Sequence, residues 1–261
     1  MDDKQKLEAA LGLLERIGAS LDDILYVAEV GSTAHGAGVG DDDLDMAVIR
    51  MEKWEELVYP GAKGGSVHLR TQEGNKRSGP GDVDLQVVTL RRYSELMMKG
   101  NPSIISIMSS RLVYHFNTRA KRTLLSISDG CRSKKAAWSF YHYMENQVRR
   151  WENGEGRKVN RPELVEKFGF DTKYAYHALR LGFQGIEYIK TGMISMPIPE
   201  PERSFLVDVR NGAVTESAAL KIASDRKDEM RALIESSTLP DASKLDEVTS
   251  SVCRFYRSWY S

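Results

Sequence analysis

Apolar residues recur at two spacings along the front part of the chain. Between residues 4 and 18 they fall at the i, i+3 and i+4 positions of an amphipathic helix. Three shorter apolar runs follow, each bounded by turn-forming or acidic residues, as strands commonly are. The pattern therefore predicts an opening helix and then strands at Tyr26–Val30, Asp43–Ile49 and Asp82–Leu90.

The rear part of the chain has a different pattern. From about residue 119 onward strand signals nearly vanish, and helical spacing covers 119–151, 161–191 and 214–257. A polar stretch, Gly154–Asn160, separates the first two of these segments. Strands in front and helices behind are typical of the α+β class with an all-α region at the C-terminal end.

Two further features refine this division. Residues 51–81, between the second and third predicted strands, contain many glycine and basic residues and are interpreted as a loop-rich insertion. Gly100-Asn101-Pro102 has the form of a helix start, with asparagine as cap and proline at the first helical position. We expect one domain over residues 1–118 and a helical domain over residues 119–261.

The composition is that of an ordinary globular protein and argues against several classes. Hydrophobic residues make up 41% and charged residues 28%. No apolar run approaches the ~20 residues of a membrane helix, and the charged start Met1–Lys4 lacks the apolar stretch of a secretory signal. Cys131 and Cys253 form no CxxC pair, so we expect buried thiols and no zinc site. We expect a cytoplasmic protein without membrane contact.

The charges cancel over the whole chain but not within its parts. The chain has 37 basic and 37 acidic side chains, yet residues 119–180 contain 14 basic and 7 acidic ones. Residues 1–118 are acidic on balance. An acidic part suited to a metal thus precedes a basic part suited to phosphates. Solvated helix faces would give the same imbalance, so charge alone leaves both interpretations open.

Three aspartates on two of the predicted strands suggest a metal site. Asp43 and Asp45 are two residues apart, so in a strand both point to the same side. Asp84 lies centrally in the next predicted strand and faces the pair if the strands are adjacent. Three carboxylates can hold two Mg²⁺ (or Mn²⁺) ions, which bind a nucleoside triphosphate and stabilise phosphoryl transfer. Asp84 would also be placed to accept the proton of an incoming hydroxyl.

Simpler explanations exist for these acids. Four aspartates in the five positions from Asp41 to Asp45 could form a solvated turn or a calcium-binding loop. They would repel one another unless a cation compensates, which favours a metal, and the spacing is not that of an EF-hand loop. We assign Asp41 and Asp42 to the turn. Asp84 alone would be interpreted as an edge-strand carboxylate, but beside the aspartate pair we expect a ligand.

Gly31-Ser32 follows the first predicted strand, with ten residues between Ser32 and Asp43. A glycine at a strand-to-helix turn lets the backbone approach a phosphate, and backbone N–H groups there can bind its oxygens. Ser32 adds a hydroxyl donor. Such a pair is common in any turn, so its value depends on the spacing from Asp43.

Basic residues share one face of a predicted helix in the rear part. Asp171 or Thr172 can cap this helix, after which Lys173, His177 and Arg180 fall at spacings of four and three. This face could bind a triphosphate or a nucleic-acid backbone. From the residues alone, an exposed helix face at a domain edge is as good an interpretation.

Together these motifs resemble the DNA polymerase β-type nucleotidyltransferase superfamily. The shared pattern is an apolar residue with Gly-Ser, ten residues, Asp-x-Asp, and a later aspartate between apolar residues. Three blocks are similar, more narrowly, to predicted nucleotidyltransferases of bacteria and bacteriophages, some of them associated with RNA repair: Gly31–Gly36, Lys99–Pro102 and Phe170–Arg180. The similarity extends over roughly residues 25–212.

The resemblance implies a nucleotidyltransferase core, with a mixed sheet and flanking helices, and a helical domain that closes over the nucleotide. It implies metal roles for Asp43, Asp45 and Asp84. Asp82 is the alternative third ligand, because it shares the strand face of Asp84 and the insertion before it is variable. The resemblance also makes Lys173 the preferred phosphate contact outside the core.

We therefore predict a metal-dependent nucleotidyltransferase that moves a nucleoside monophosphate from a nucleoside triphosphate (NTP) to a hydroxyl acceptor and releases pyrophosphate. The basic excess favours a nucleic acid, RNA or DNA, as the acceptor, although a small phosphorylated acceptor would need the same charges. Two alternatives stay open: a toxin–antitoxin-type nucleotidyltransferase that modifies a protein or tRNA, and a nucleotide-binding module without turnover. The predicted substrate contacts are Gly31, Ser32, Lys173, His177 and Arg180.

Overall fold

The computed structural model describes residues 1–40, 43–58, 65–72, 78–152 and 161–261. Within these residues the strands are β1 (Ile24–Glu29), β2 (Leu44–Arg50), β3 (Ser66–Arg70), β4 (Val83–Thr89) and β5 (Val113–Phe116). The helices up to residue 130 are α1 (Asp3–Glu15), α2 (Gly31–Ala34), α3 (Trp54–Val58), α4 (Leu90–Met98), α5 (Pro102–Ile107) and α6 (Lys121–Gly130). The later helices are α7 (Lys134–Glu152), α8 (Pro162–Phe168), α9 (Thr172–Thr191), α10 (Glu202–Arg210), α11 (Glu216–Ser236) and α12 (Leu245–Tyr260).

The α+β class is confirmed, and so are the main elements that hydrophobic spacing predicts. The opening helix is α1, and the three predicted strands are β1, β2 and β4, with bounds that differ by one or two residues. Helices cover most of the three rear segments, each of which is divided into two helices. Gly154–Asn160, the predicted polar break, lies outside the described residues.

Two strands were not predicted, and both have little apolar alternation to reveal them. β3 lies inside the predicted insertion, and four of its five residues are exposed. β5 has only four residues, one exposed and three half-buried. Each is an edge strand, where one side of the backbone has no strand partner and apolar side chains are not required. Hydrophobic spacing therefore missed both edges of the sheet.

The five strands of the described residues form one mixed sheet in the order β3-β4-β2-β1-β5. β2 and β4 are parallel neighbours, and their register pairs Asp45 with Asp84. β1 is antiparallel to β2, so its last residues lie beside the beginning of β2. The condition under which Asp84 would face the aspartate pair, that the two strands are adjacent, is thus met.

One face of the sheet is covered by α1 and holds an apolar core. Met46 and Val48 of β2 and Leu85 and Val87 of β4 pack there with leucines of α1. Because side chains alternate along a strand, Asp45 and Asp84 lie on the opposite face. The residues that build the core therefore also fix the direction of both carboxylates.

The α1 face of the sheet also contains a buried carboxylate, that of Glu29, which is paired with Lys6 and Tyr114. Glu29 at the end of β1 is buried, and the ammonium of Lys6 donates to its carboxylate at 2.9 Å. The Tyr114 hydroxyl bonds to the same carboxylate. Burial lowers the pKa of Lys6, but the hydrogen bonds to Glu29 and Tyr114 outweigh it and raise the pKa above its ordinary value. This group ties α1 to β1 and β5.

The chain forms two compact units that do not follow a single cut in the sequence. Unit 1 comprises residues 1–98, 103–131 and 244–261, and unit 2 comprises residues 99–102 and 132–243. The sheet, α6 and α12 thus belong to unit 1. The predicted boundary at residue 118 between a front domain and a helical domain stays a prediction.

In unit 1, α12 is held by a buried carboxylate and by close helix packing. The Tyr256 hydroxyl of α12 bonds to the carboxylate of Glu52, which is 3% exposed and also accepts from the Arg91 backbone N–H at 3.0 Å. The buried Val248 side chain lies against Gly130 of α6, where a Cβ atom would come within 2.7 Å of it.

Unit 2 is built around α9, which packs against α7, α10 and α11. Two glycines of α9 let neighbouring helices pack close to it. A Cβ at Gly185 would lie 2.3 Å from the Met230 methyl group, and one at Gly182 would lie 3.0 Å from the Met144 sulfur. Asp171 caps the helix by accepting from the Lys173 and Tyr174 backbone N–H groups, a contact worth about 1 kcal/mol.

Two remaining expectations concern cysteines and membranes. Cys131 and Cys253 are both free thiols; Cys131 is buried as expected, whereas Cys253 is exposed on α12, so that part of the expectation is wrong. Across the described ranges, no helix combines the length and the apolar character required to span a bilayer.

Candidate active site

Three carboxylates converge where β2 and β4 begin. One oxygen each of Asp43, Asp45 and Asp84 lies within 4.8 Å of the other two. Asp43 and Asp45 are half-buried, and Asp84 is 8% exposed. Asp43 directly precedes β2, and the parallel register aligns Asp45 with Asp84. The sequence pattern predicted this grouping on the condition that the two strands are adjacent, because strand alternation fixes the side to which each carboxylate points.

Gly31 is in direct contact with this cluster. Its φ is +72°, and a Cβ atom there would lie 2.0 Å from an Asp45 carboxylate oxygen. The Val30 backbone N–H donates to the Asp45 carbonyl at 2.8 Å, which fixes the backbone of β2 beside this turn. Only glycine therefore fits between the turn and the Asp45 carboxylate.

Ser32 lies in the same turn and is half-buried. The turn continues as α2, a single helical turn, and the Ser32 carbonyl accepts from the Ala37 backbone N–H at 2.9 Å. The predicted pair Gly31 and Ser32 is thus placed next to the acidic cluster, with Gly31 in contact with it.

Asp84 has two partners of its own. The Ser78 hydroxyl donates to its Oδ1 at 2.8 Å, and Nε of Arg70 lies 3.3 Å from the same oxygen. Arg70 is the last residue of the edge strand β3. Sequence reasoning missed both partners, since they belong to the segment interpreted as a loop-rich insertion.

The position of Asp82 differs from that of Asp84. Its carboxylate accepts from the Thr71 hydroxyl at 3.2 Å and from the Gly79 backbone N–H at 2.9 Å. The Thr71 hydroxyl in turn accepts from the Val83 backbone N–H at 2.8 Å. Asp82 therefore closes the turn that leads into β4, and the cluster of three acids includes Asp84 instead. Asp41 and Asp42, assigned to the preceding turn, lie outside the described residues.

The donor set of the cluster fits a hard divalent cation. Mg²⁺ and Mn²⁺ prefer carboxylate oxygens, and Mg²⁺ is usually bound by one or two carboxylates together with substrate phosphates. Three carboxylates this close repel one another strongly unless a cation lies between them. Asp43, Asp45 and Asp84 would hold such an ion.

Unit 2 contains a second candidate region, the basic cluster, which we define as Arg161, Lys173, His177, Arg180 and Arg210. Lys173, His177 and Arg180 come from one face of α9, as predicted. The Arg161 guanidinium lies 3.7 Å from the Asp171 carboxylate, and that of Arg210 lies over the Tyr176 ring, 5.3 Å from its centroid. The positive charges therefore come from three separate parts of unit 2.

The pKa of His177 is affected by the positive charges of this cluster. Its pKa lies well below the ordinary value, first because burial disfavours the charged ring and then because Arg180, Lys173, Arg161 and Arg210 repel it. Burial also lowers the pKa of Arg180. A cluster that disfavours a further positive charge is suited to an anion.

One donor of the basic cluster has no hydrogen-bond partner within the described ranges. The Arg180 guanidinium donates to the Gln184 side chain at 2.7 Å, but its buried Nε is unpaired. Buried donors are normally satisfied, so an unpaired one calls for a ligand or water. Helical spacing did not reveal Arg161 and Arg210, because both lie outside α9.

Comparison with known proteins supplies a family. A family model described as "RlaP: RNA repair pathway DNA polymerase beta family" matches residues 6–252, which confirms the resemblance. Among solved structures, a nucleotidyltransferase-like protein from Exiguobacterium sibiricum 255-15 is similar at 12% identity and a TM-score of 0.31, with 97% of this chain and 80% of that chain covered. That likeness carries no further argument. No curated protein matches the chain.

Proposed function

Because the chain belongs to the RNA repair pathway DNA polymerase beta family, we propose that it is a metal-dependent nucleotidyltransferase. It moves a nucleoside monophosphate from an NTP to a hydroxyl acceptor and releases pyrophosphate. The observation that supports this best is the cluster of Asp43, Asp45 and Asp84, whose oxygens lie within 4.8 Å of one another beside the Gly31 turn.

In this proposal Asp43, Asp45 and Asp84 hold Mg²⁺ or Mn²⁺. The bound ion would neutralise charge on the triphosphate, which supplies several kcal/mol to such reactions. Gly31 and Ser32 orient the phosphates, because the turn has no side chain between its backbone and Asp45. Positioning and charge neutralisation account for most of the catalysis in phosphoryl transfer.

The chemistry is a single displacement at the α-phosphorus. The acceptor hydroxyl oxygen forms a bond to the α-phosphorus, and the bond from that phosphorus to the bridging oxygen of the β-phosphate breaks. Pyrophosphate leaves with the bonding electrons. Asp84 takes the hydroxyl proton, and its contacts with Arg70 and Ser78 hold the carboxylate in place.

The basic cluster of unit 2 binds phosphate groups of a substrate in this proposal. Lys173, His177 and Arg180 are the contacts, and Arg161 and Arg210 add charge. The unpaired Nε of Arg180 supports an anionic ligand. We propose RNA as the acceptor, in line with the description of the family, and a cytoplasmic location stays a prediction.

The test is transfer of label from α-³²P-labelled NTPs to RNA in the presence of Mg²⁺ or Mn²⁺, with pyrophosphate release measured in parallel. We expect Asp43→Asn with Asp45→Asn to lower the rate about 100-fold or more, because electrostatic stabilisation at the reacting phosphate is lost. Mn²⁺ binding, followed by electron paramagnetic resonance, should be lost in the same variant. This second measurement does not depend on knowing the acceptor.

Asp82→Asn is the matched control, since it alters an aspartate two residues from Asp84 that lies outside the cluster. It should keep Mn²⁺ binding and most of the activity, whereas Asp84→Asn should lose the activity. Undiminished transfer by the Asp43/Asp45 variant would show the metal assignment to be wrong. NTP binding by the wild type without pyrophosphate release, over protein, tRNA and RNA acceptors, would indicate a binding module instead.

A further inference from the structure

Helices α6 and α12 of unit 1 enclose a groove made of two adjoining cavities. One has a volume of about 460 Å³ and the other about 730 Å³. Arg122 and Ser126 of α6 line both cavities, so the two are neighbours. Each has the volume of a common ligand pocket, about 300–1,000 Å³, and we call the two together the α6–α12 groove.

Among the described residues, the lining of the smaller cavity contains cations and no acidic residue. Its cations are Arg119, Arg122 and Arg254. Arg119 is already engaged: it donates to the Ser258 carbonyl at 2.6 Å and stacks over the Trp259 ring at 4.8 Å. Arg119 thus joins the start of α6 to the end of α12 and holds the groove in shape.

Arg122 and Arg254 differ from Arg119 because their guanidinium groups have no partner among the described residues. Both are exposed, and neither has a hydrogen bond or ion pair with another residue of the described chain. The two arginines come from different helices and line one cavity, and no carboxylate of the described residues lines it with them. Like charges on one cavity repel each other. An anion in the cavity would remove that repulsion.

Hydroxyl groups complete the lining of the smaller cavity. Thr123 and Ser251 are 7% and 8% exposed, and their hydroxyls have no hydrogen-bond partner among the residues the structure describes. Ser126 lines the same cavity. Arginine and hydroxyl side chains are the usual donors to phosphate oxygens in nucleic-acid complexes.

We propose that the α6–α12 groove binds the phosphodiester backbone of a nucleic acid, with Arg122 and Arg254 as the contacts. The proposal rests on the proposed function, for which it supplies an acceptor-binding surface. A backbone fits better than a single nucleotide for two reasons. The smaller cavity adjoins the larger one, whose lining adds Lys121 and Lys244 together with the acidic Asp129 and Glu247, and Lys244 is paired with Glu247 at 3.3 Å. Among the described residues, the smaller cavity has one ring in its lining, Phe255, which is 5% exposed and so is not open for base stacking.

The test measures RNA binding by fluorescence anisotropy with the full chain, a labelled single-stranded RNA, and no NTP or metal. Arg122→Gln with Arg254→Gln should weaken binding and reduce its salt dependence. Each lost phosphate contact lowers the salt slope by about 0.7, so two lower it by about 1.4 and weaken binding about 25-fold at about 0.1 M salt. Both side chains are exposed, so the variant should fold, which thermal unfolding checks.

The matched control is Lys4→Gln with Arg257→Gln, which removes two exposed charges of unit 1 that do not line the groove. It should change the affinity less than threefold. Equal weakening in both variants would mean general charge attraction and overturn the proposal. So would unchanged binding in the groove variant, or wild-type protein that does not bind RNA.

Further measurements identify the source of the phosphate. They also separate this proposal from the proposed nucleotidyltransferase function. DNA of the same sequence should compete, because the backbone charge is shared, whereas free phosphate should not compete at equal phosphate concentration. A groove variant that loses NTP binding but keeps RNA binding would make the groove a nucleotide site and overturn the proposal. Since binding is measured without metal or NTP, the Asp43/Asp45 variant should bind RNA normally even though it transfers no label.

Discussion

The contact between Gly31 and Asp45 shows how much of the candidate site depends on having glycine at position 31. The backbone of Gly31 has a positive φ, and a β-carbon attached to it would overlap the Asp45 carboxylate. Two separate requirements, the conformation and the space, therefore both select glycine. The position of Asp45 depends on that space being open.

Gly31→Ala should impair catalysis more than stability. We expect the left-handed conformation to cost about 1–2 kcal/mol of unfolding free energy. The added methyl group must also displace the Asp45 carboxylate, and a displacement of about 1 Å can lower a rate about 100-fold. Nucleotidyl transfer and urea unfolding measure the two effects.

Gly18→Ala is the control for this prediction. Gly18 has a similar φ of +65°, and its Cβ would meet only the end of the flexible Lys53 side chain at 3.2 Å. It should show the same loss of stability with unchanged transfer. If the two variants lose activity equally, the close approach of Gly31 to Asp45 has no catalytic role.

At this scale the sequence predicts the acidic cluster but not its surroundings. Strand alternation and adjacent strands suffice to bring Asp45 to Asp84. The choice between Asp82 and Asp84 does not follow from alternation, because residues two apart share a face. It depends on Thr71 and Gly79, which bind Asp82 across the turn, and such turn contacts have no periodic signal.

Helix α9 is the element for which sequence and structure agree most closely. Asp171 caps it, and the face with Lys173, His177 and Arg180 follows from helical spacing. What spacing does not reveal is that Arg161 and Arg210 join this face from other segments. The low pKa of His177 is a property of the assembled cluster and could not be predicted from α9 alone.

The shifted pKa of His177 makes unit 2 sensitive to acid. In the unfolded chain this histidine binds a proton near its ordinary pKa of about 6.5, whereas in the folded chain it stays neutral to lower pH. The unfolded state therefore binds more protons below about pH 6.5, and stability falls as the pH decreases, by up to about 1.4 kcal/mol per pH unit. Urea unfolding midpoints between pH 8 and about pH 5 test this.

His177→Gln should remove that part of the acid dependence, and His142→Gln, which alters an exposed ring on α7, should not. Added pyrophosphate should reduce the acid sensitivity of the wild type, because a bound anion favours the protonated ring. A wild-type midpoint that does not fall between pH 7 and pH 5 would contradict the prediction.

For the whole molecule, hydrophobic spacing predicts helices but not their partners. It places a helix near the C-terminal end of the sequence, yet nothing in the spacing indicates that α12 packs in unit 1 with α6 and α4. That arrangement depends on long-range contacts such as those of Glu52 with Tyr256. The α6–α12 groove is therefore also a product of the tertiary fold that the sequence alone does not predict.

Because α12 completes unit 1, ending the chain after Ser243 should destabilise that unit. The deletion removes the buried Val248 and Phe255, each worth about 1.5–3 kcal/mol, and leaves Glu52 without its Tyr256 bond. We expect a loss of at least about 3 kcal/mol and a lower melting temperature. Limited proteolysis with mass spectrometry should place the new cleavage sites within unit 1.

A synthetic peptide of residues 244–261 provides the control. Added in excess, it should raise the melting temperature of the shortened chain in a concentration-dependent way, as a ligand of the folded state does. The same peptide with Phe255→Ala should do so less, because the largest buried ring of α12 is missing. A shortened chain that melts at the wild-type temperature would mean that α12 contributes little to the stability of unit 1. The α6–α12 groove would then lack a firmly held wall.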